Sequence, residues 1–120
     1  IGSNDMRDIL KAVDEGKESA RLAFDVFIHR LVKYVGAYAA VLNGFDALVF
    51  TAGIGENVPR IRAMVCEKLA FLGVRLDSSR NKAGEVVISE QGACPAVMVV
   101  PTNEELMIAR QTVQVLSKHP

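Results

Sequence analysis

The sequence has no surplus of charge of either sign: Lys and Arg together number 14, as do Asp and Glu, for a net charge of zero over 120 residues. No net field therefore draws the chain toward nucleic acid or an anionic membrane, and any recognition of phosphate must come from local geometry. Cysteine is scarce as well. Cys66 and Cys94 lie far apart, with no CxxC or Cys/His spacing of the kind that holds zinc. The pair reads as two buried thiols in a reducing cytoplasm, with a single disulfide as the alternative. The two histidines, His29 within a helical pattern and His119 near the end, suggest no metal site. Long apolar runs are missing too: the longest uncharged stretch, Tyr34 to Phe45, falls short of the ~20 residues a membrane span needs. No secretory leader is expected, because Ile1 to Asp5 runs directly into a helical pattern. With no internal repeat, low-complexity tract or long linker, residues 1–120 are expected to form one domain segment.

The residues that are present have a globular balance, 50% hydrophobic and 23% charged. A short helix is expected over Asp5–Glu15, capped by Ser3, Asn4 or Asp5 and stopped by Gly16. A long one follows from Glu18 to about Leu42. Along it Phe24, Phe27, Ile28, Leu31, Val35, Tyr38 and Leu42 recur at steps of three and four, which predicts a core-packing face. Arg21, Asp25, His29 and Lys33 form the polar stripe opposite. Asn43-Gly44 ends this helix and Ala47–Phe50 reads as a buried strand. Thr51–Asn57 is expected as a loop, followed by a helix over Val58–Leu72 with Asn57 as N-cap, Pro59 in the first turn and Gly73 as the stop. Val74–Leu76 and Glu85–Ile88 read as short strands around a polar loop, Asp77–Gly84. Ala96–Val100 reads as a second core strand, and Thr102 opens a last helix to about Ser117. Strands followed by helices predict an α/β layered fold with parallel pairing. Two core strands are too few for this much helix, so the sheet is expected to be incomplete and the chain to belong to a larger protein. The missing initiator methionine agrees with that expectation.

Three segments carry chemistry. Gly53-Ile54-Gly55-Glu56-Asn57 follows a strand and precedes a helix. Its glycines permit tight turns and close backbone approach by a ligand, and the helix beyond it points free N–H groups toward that position. Ligands of open α/β sheets bind beyond the carboxyl ends of strands, where this segment must lie. It matches neither the GxGxxG dinucleotide fingerprint nor a Walker loop, and a plain structural turn explains Gly-x-Gly equally well. In Pro101-Thr102-Asn103-Glu104-Glu105, Thr102 and Glu105 have capping-box spacing. That leaves Glu104, in the first turn past a strand end, either to bind a hard cation such as Mg²⁺ or to offset the helix dipole. The third, Asp5-Met6-Arg7, is by itself a helix cap and a solvated arginine.

In this order the three segments resemble the acetate kinase family, whose nucleotide site combines a DMR or DFR tripeptide, a GIGEN segment and a PT[ND]EE turn. Phe45–Phe50 and Leu106–Arg110 also look like the family's, so the likeness runs through the whole chain; Thr51-Ala52 stands where Thr-Gly is usual, and Ala93-Cys94-Pro95 is less typical. The resemblance implies the C-terminal part of a ribonuclease H-like domain of the sugar kinase and actin superfamily, with ATP in a cleft of a two-domain enzyme. It implies phosphoryl transfer between ATP and acetate, giving acetyl phosphate and ADP. Asp5, Met6, Arg7, Gly53, Ile54, Gly55, Glu56 and Asn57 are then the nucleotide-binding residues and Glu104 the Mg²⁺-associated carboxylate. The family's phosphate-gripping loop, catalytic Asp, substrate arginines and transition-state His lie upstream of the matched region. No catalytic residue is expected here, and the segment alone should be inactive. Propionate kinase is the close alternative, and a non-catalytic nucleotide-binding module of the same fold is the alternative of a different class. Homodimerisation is implied by resemblance only.

Overall fold

The computed structural model describes residues 6–101, and the apolar periodicity accounts for most of its helices. Helix α1, Met6–Asp14, turns through Gly16 into the long helix α2, Glu18–Leu42, and the two pack side by side. Asn43 closes α2 in the left-handed conformation (φ 58°), and the main-chain N–H of Gly44 returns to the Ala39 carbonyl at 2.8 Å. Strand β1 is Ala47–Phe50. Two short helices follow, α3 over Ala52–Asn57 and α4 over Pro59–Lys68, then a 3-10 turn at Ala70–Leu72. Helix α5 covers Ser78–Ala83 and strand β2 covers Ala96–Val99.

The strands pair in parallel, from Ala47 opposite Ala96 to Phe50 opposite Val99. Main-chain bonds at 2.9 Å, Ala96 N–H to Asp46 O and Val100 N–H to Phe50 O, extend the ladder at both ends. The outer edge of β1 has no strand partner among the described residues. On the far side of β2, the expected strands at 74–76 and 85–88 shrink to single antiparallel bridges, Leu76 with Ser89 and Val87 with Met98. Two side chains explain this. The Ser89 hydroxyl, not a main-chain carbonyl, accepts the Val97 N–H at 3.1 Å, which interrupts the ladder. Asp77 accepts the Arg80 N–H at 3.0 Å and so caps α5, turning the expected polar loop 77–84 into helix.

The core lies where α2 and α4 meet the sheet: Phe24 and Ile28 pack with Ile61, Val65, Leu69 and Val97. The predicted apolar face of α2 divides in two. Its N-terminal half is buried or half-buried through Val35, whereas Tyr38 and Leu42 are exposed, as are Tyr34 and Val41, the latter 81%. The polar stripe Arg21, Asp25, His29 and Lys33 faces solvent as expected. The cysteines are free, but only Cys66 is buried; Cys94 is exposed, which corrects the expectation of two buried thiols. Among the described residues no helix is long and apolar enough to cross a membrane.

Candidate functional site

Parallel pairing brings the carboxyl ends of β1 and β2 to one edge of the sheet. Thr51, the residue after β1, donates its hydroxyl to the Val100 carbonyl at 2.7 Å, across 49 positions of sequence. Gly53–Asn57 leaves from Thr51, and Pro101, the first residue of the second chemical segment, follows Val100. Glu104, the expected metal ligand, and the rest of that segment lie outside the described residues, as does Asp5.

The segment expected as a loop is the helix α3. Thr51 is extended (φ −148°, ψ 176°) and Ala52 is left-handed (φ 66°), so the chain reverses sharply at Ala52 and then coils. A left-handed alanine is strained, and glycine would sit there at lower cost. The two glycines of the segment differ. A Cβ at Gly53 would meet nothing within 4 Å, so this position is open on the outside of the turn. A Cβ at Gly55 would instead lie 3.4 Å from the carbonyl carbon of Phe50, so Gly55 lets α3 sit against the end of β1. Asn57 is exposed and ends α3; Val58, not Asn57, is the N-cap residue of α4, with Pro59 in the first turn as expected. The helix expected to continue to Leu72 ends at Lys68, and the 3-10 turn leads to Gly73.

A buried arginine holds this turn. Arg62, on α4, is 1% exposed. Its Nη1 donates to the carbonyl oxygens of Gly55 and Glu56, both at 2.9 Å. Nε donates to Asn81 Oδ1 at 2.7 Å and Nη2 to the Asn81 carbonyl at 2.8 Å. Asn81 in turn donates from Nδ2 to the Pro59 carbonyl at 3.0 Å, closing a network between α3, α4 and α5. These acceptors are neutral, so the charge is solvated by dipoles. Burial lowers the Arg62 pKa from its ordinary value, with Cys66 opposing the shift. Burial also pushes the Cys66 thiol, one turn along α4, up to about 12, and the Arg62 charge opposes that rise. Arg62 belongs to none of the three segments read from the sequence. The available signal was its place on the apolar stripe of α4, in line with Val65, Cys66 and Leu69, where an arginine requires buried acceptors.

Of the Asp5-Met6-Arg7 tripeptide, Met6 is buried in the core cluster against which Ile54 packs, and Arg7 is exposed on the first turn of α1. Met6 thus anchors α1. Glu56 is half-buried. No group of three or more His, Cys, Asp or Glu side chains gathers among the described residues, so these residues do not form a cation cage by themselves.

The family profile described as the Acetokinase family matches residues 1–110. The acetate kinase of Heliobacterium modesticaldum is 56% identical over 115 residues, covering 95% of this chain and 29% of that protein. The acetate kinase of Pseudothermotoga lettingae is 51% identical over 116 residues, with the same two coverages of 95% and 29%. Among solved structures, acetate kinase from Porphyromonas gingivalis superposes with a TM-score of 0.80 at 44% identity, over 95% of this chain and 29% of that one. A propionate kinase from Francisella tularensis gives 0.79 at 44% identity, over 90% and 28%. The chain thus spans less than a third of the length of the curated relatives it matches. Its fold is the actin-like, sugar-kinase type expected above, of which a two-stranded sheet is a partial segment. In sequence, in fold and in the order of its motifs, the chain belongs to the acetokinase family.

Proposed function

We propose that this chain is the C-terminal, nucleotide-binding segment of a two-domain short-chain carboxylate kinase, which moves a phosphoryl group between ATP and acetate to give acetyl phosphate and ADP. The observation that supports this reading is the Thr51–Val100 hydrogen bond, which joins the residue that leads into the GIGEN helix to the end of β2, just before the PTNEE segment in sequence. Ligands of open α/β sheets bind beyond the carboxyl ends of strands. Asp5, Met6, Arg7 and residues 53–57 form the adenosine side. Within that set Gly53 leaves room for the nucleotide, Gly55 seats α3, and Met6 holds Arg7 at the surface through the core. Glu104 holds Mg²⁺ together with the nucleotide phosphates, and the cation supplies charge neutralisation during transfer. The acetate pocket and the catalytic groups belong to the remainder of the protein, which acts in the cytoplasm as a homodimer. No nucleic acid or membrane takes part.

Amide exchange on a full-length acetokinase carrying this chain tests the reading. With saturating Mg·ADP, protection is expected to rise over residues 53–57 and 101–105 and to stay level over the exposed end of α2. Equal protection with and without nucleotide contradicts the assignment. The likeness to the Francisella tularensis enzyme supports a second reading, propionate as acceptor. Comparing kcat/KM for acetate and propionate in the same protein decides between them.

A further inference from the structure

The buried guanidinium has no role in the motifs described so far, yet half of its bonds end on the GIGEN helix. We infer that Arg62 is a positioning residue for the nucleotide site, acting through the Gly55 and Glu56 carbonyls.

Three observations converge. First, α3 is a helix of six residues with two glycines, too short and too glycine-rich to persist on its own propensity. Its geometry has to be imposed from outside. Second, Nη1 of Arg62 reaches both Gly55 O and Glu56 O at 2.9 Å. These are C-terminal carbonyls of α3, which a helix of this length cannot satisfy internally. Third, the opposite side of the guanidinium is fixed by Asn81 Oδ1 and Asn81 O, and the Asn81 amide is fixed by Pro59 O. The fork therefore cannot swing to follow a moving α3. A planar guanidinium suits this task because it presents divergent donors at fixed angles, whereas a lysine ammonium would satisfy one side or the other. The neutral surroundings matter too. A carboxylate beside Arg62 would draw its donors away from the α3 carbonyls, and its acceptors are carbonyl and amide oxygens instead.

The consequence is a division of labour. Gly53 and its neighbours touch the nucleotide under the reading proposed above, on which this inference rests, while Arg62 fixes the shape they present. Loosening Arg62 changes nucleotide affinity and leaves the acyl acceptor site, in another part of the protein, untouched.

The test uses a full-length acetokinase carrying this chain, with Arg62→Lys and Asn81→Ala as two independent ways to weaken the network. ATP KM, acetate KM and kcat are measured together with amide exchange over residues 53–57. The expected result is an ATP KM raised about tenfold, the loss typical of one hydrogen bond to a charged group, with acetate KM level and faster exchange over 53–57 in both variants. Asn81→Ala keeps the arginine and its charge, so an ATP-selective effect there traces to geometry. Equal rises in both KM values, or unchanged exchange over 53–57 with unchanged ATP KM, overturn the role of Arg62. A wild-type protein that binds no ATP sinks the nucleotide reading itself, and with it the inference. Wild-type ATP binding with unselective variants sinks the Arg62 inference alone.

Discussion

The hydroxyl of Thr51 lies 2.7 Å from the carbonyl oxygen of Val100, joining the residue after one strand to the residue after its parallel neighbour. The Val100 N–H already bonds Phe50 O at 2.9 Å, so the ladder continues one side chain past the last strand residues. This contact fixes the start of the GIGEN helix against the carboxyl end of β2.

Thr51→Val keeps the shape and removes the donor. Stability is expected to fall by about 1 kcal/mol, the usual net loss for one hydrogen bond, and Thr51→Ser is expected to restore it. Urea midpoints of the three proteins check this. Equal midpoints for valine and threonine would show that the Val100 carbonyl has another donor.

Ala52 sits at φ 66° with its side chain exposed. Left-handed geometry costs alanine about 1–2 kcal/mol, and the greater freedom of unfolded glycine returns about 0.4–1 kcal/mol of that difference. Ala52→Gly is therefore expected to stabilise the protein by about 0.5–1 kcal/mol, read as a higher denaturation midpoint. A lower midpoint contradicts the left-handed backbone at this position.

Much of this was legible in the sequence for a physical reason. Helix α2 and strand β1 have the predicted bounds because a long apolar period and a four-residue apolar run between turn residues leave few alternatives. The misreadings have tertiary causes. Helix α3 reads as a loop in sequence because its glycines oppose helix formation locally, whereas Arg62 holds its carbonyls from another element. Residues 74–76 and 85–88 read as strands because alternation does not reveal that the Ser89 side chain replaces a ladder acceptor. The end of α2 reads as core because periodicity marks a face without showing what covers it; Tyr38 and Leu42 are exposed in this chain. At the candidate site the motifs are legible in sequence, whereas the different facings of Gly53 and Gly55 are not.

Cys66 provides a pH signature. Its folded pKa is raised from the ordinary 9.0 to about 12, chiefly by burial. A raised folded pKa means that the unfolded chain releases this proton first. The contribution is complete below pH 9.0 and is lost as pH rises from there toward about 12. The native thiol is therefore expected to resist iodoacetamide at pH 8 and to react fully in urea, as read by peptide mapping. Cys66→Ala is expected to flatten the decline in stability above pH 9. Rapid native labelling, or an unchanged alkaline slope, contradicts the burial of this thiol.

Whether α3 faces the nucleotide is read from the steady-state kinetics of Gly53→Val in a full-length acetokinase carrying this chain, with Gly55→Val beside it. A Cβ at Gly53 meets nothing within 4 Å, and valine is a better helix former than glycine, so this variant should fold with wild-type stability. At Gly55 the branches of a valine run into the end of β1 from a Cβ already 3.4 Å from Phe50, so stability should fall whatever binds there. Gly53→Val is expected to raise ATP KM by about tenfold or more, equivalent to about 1.4 kcal/mol of lost affinity, while acetate KM and the melting temperature hold. An unchanged ATP KM, or an equal rise for ATP and acetate, would contradict the assignment of this helix to the nucleotide site.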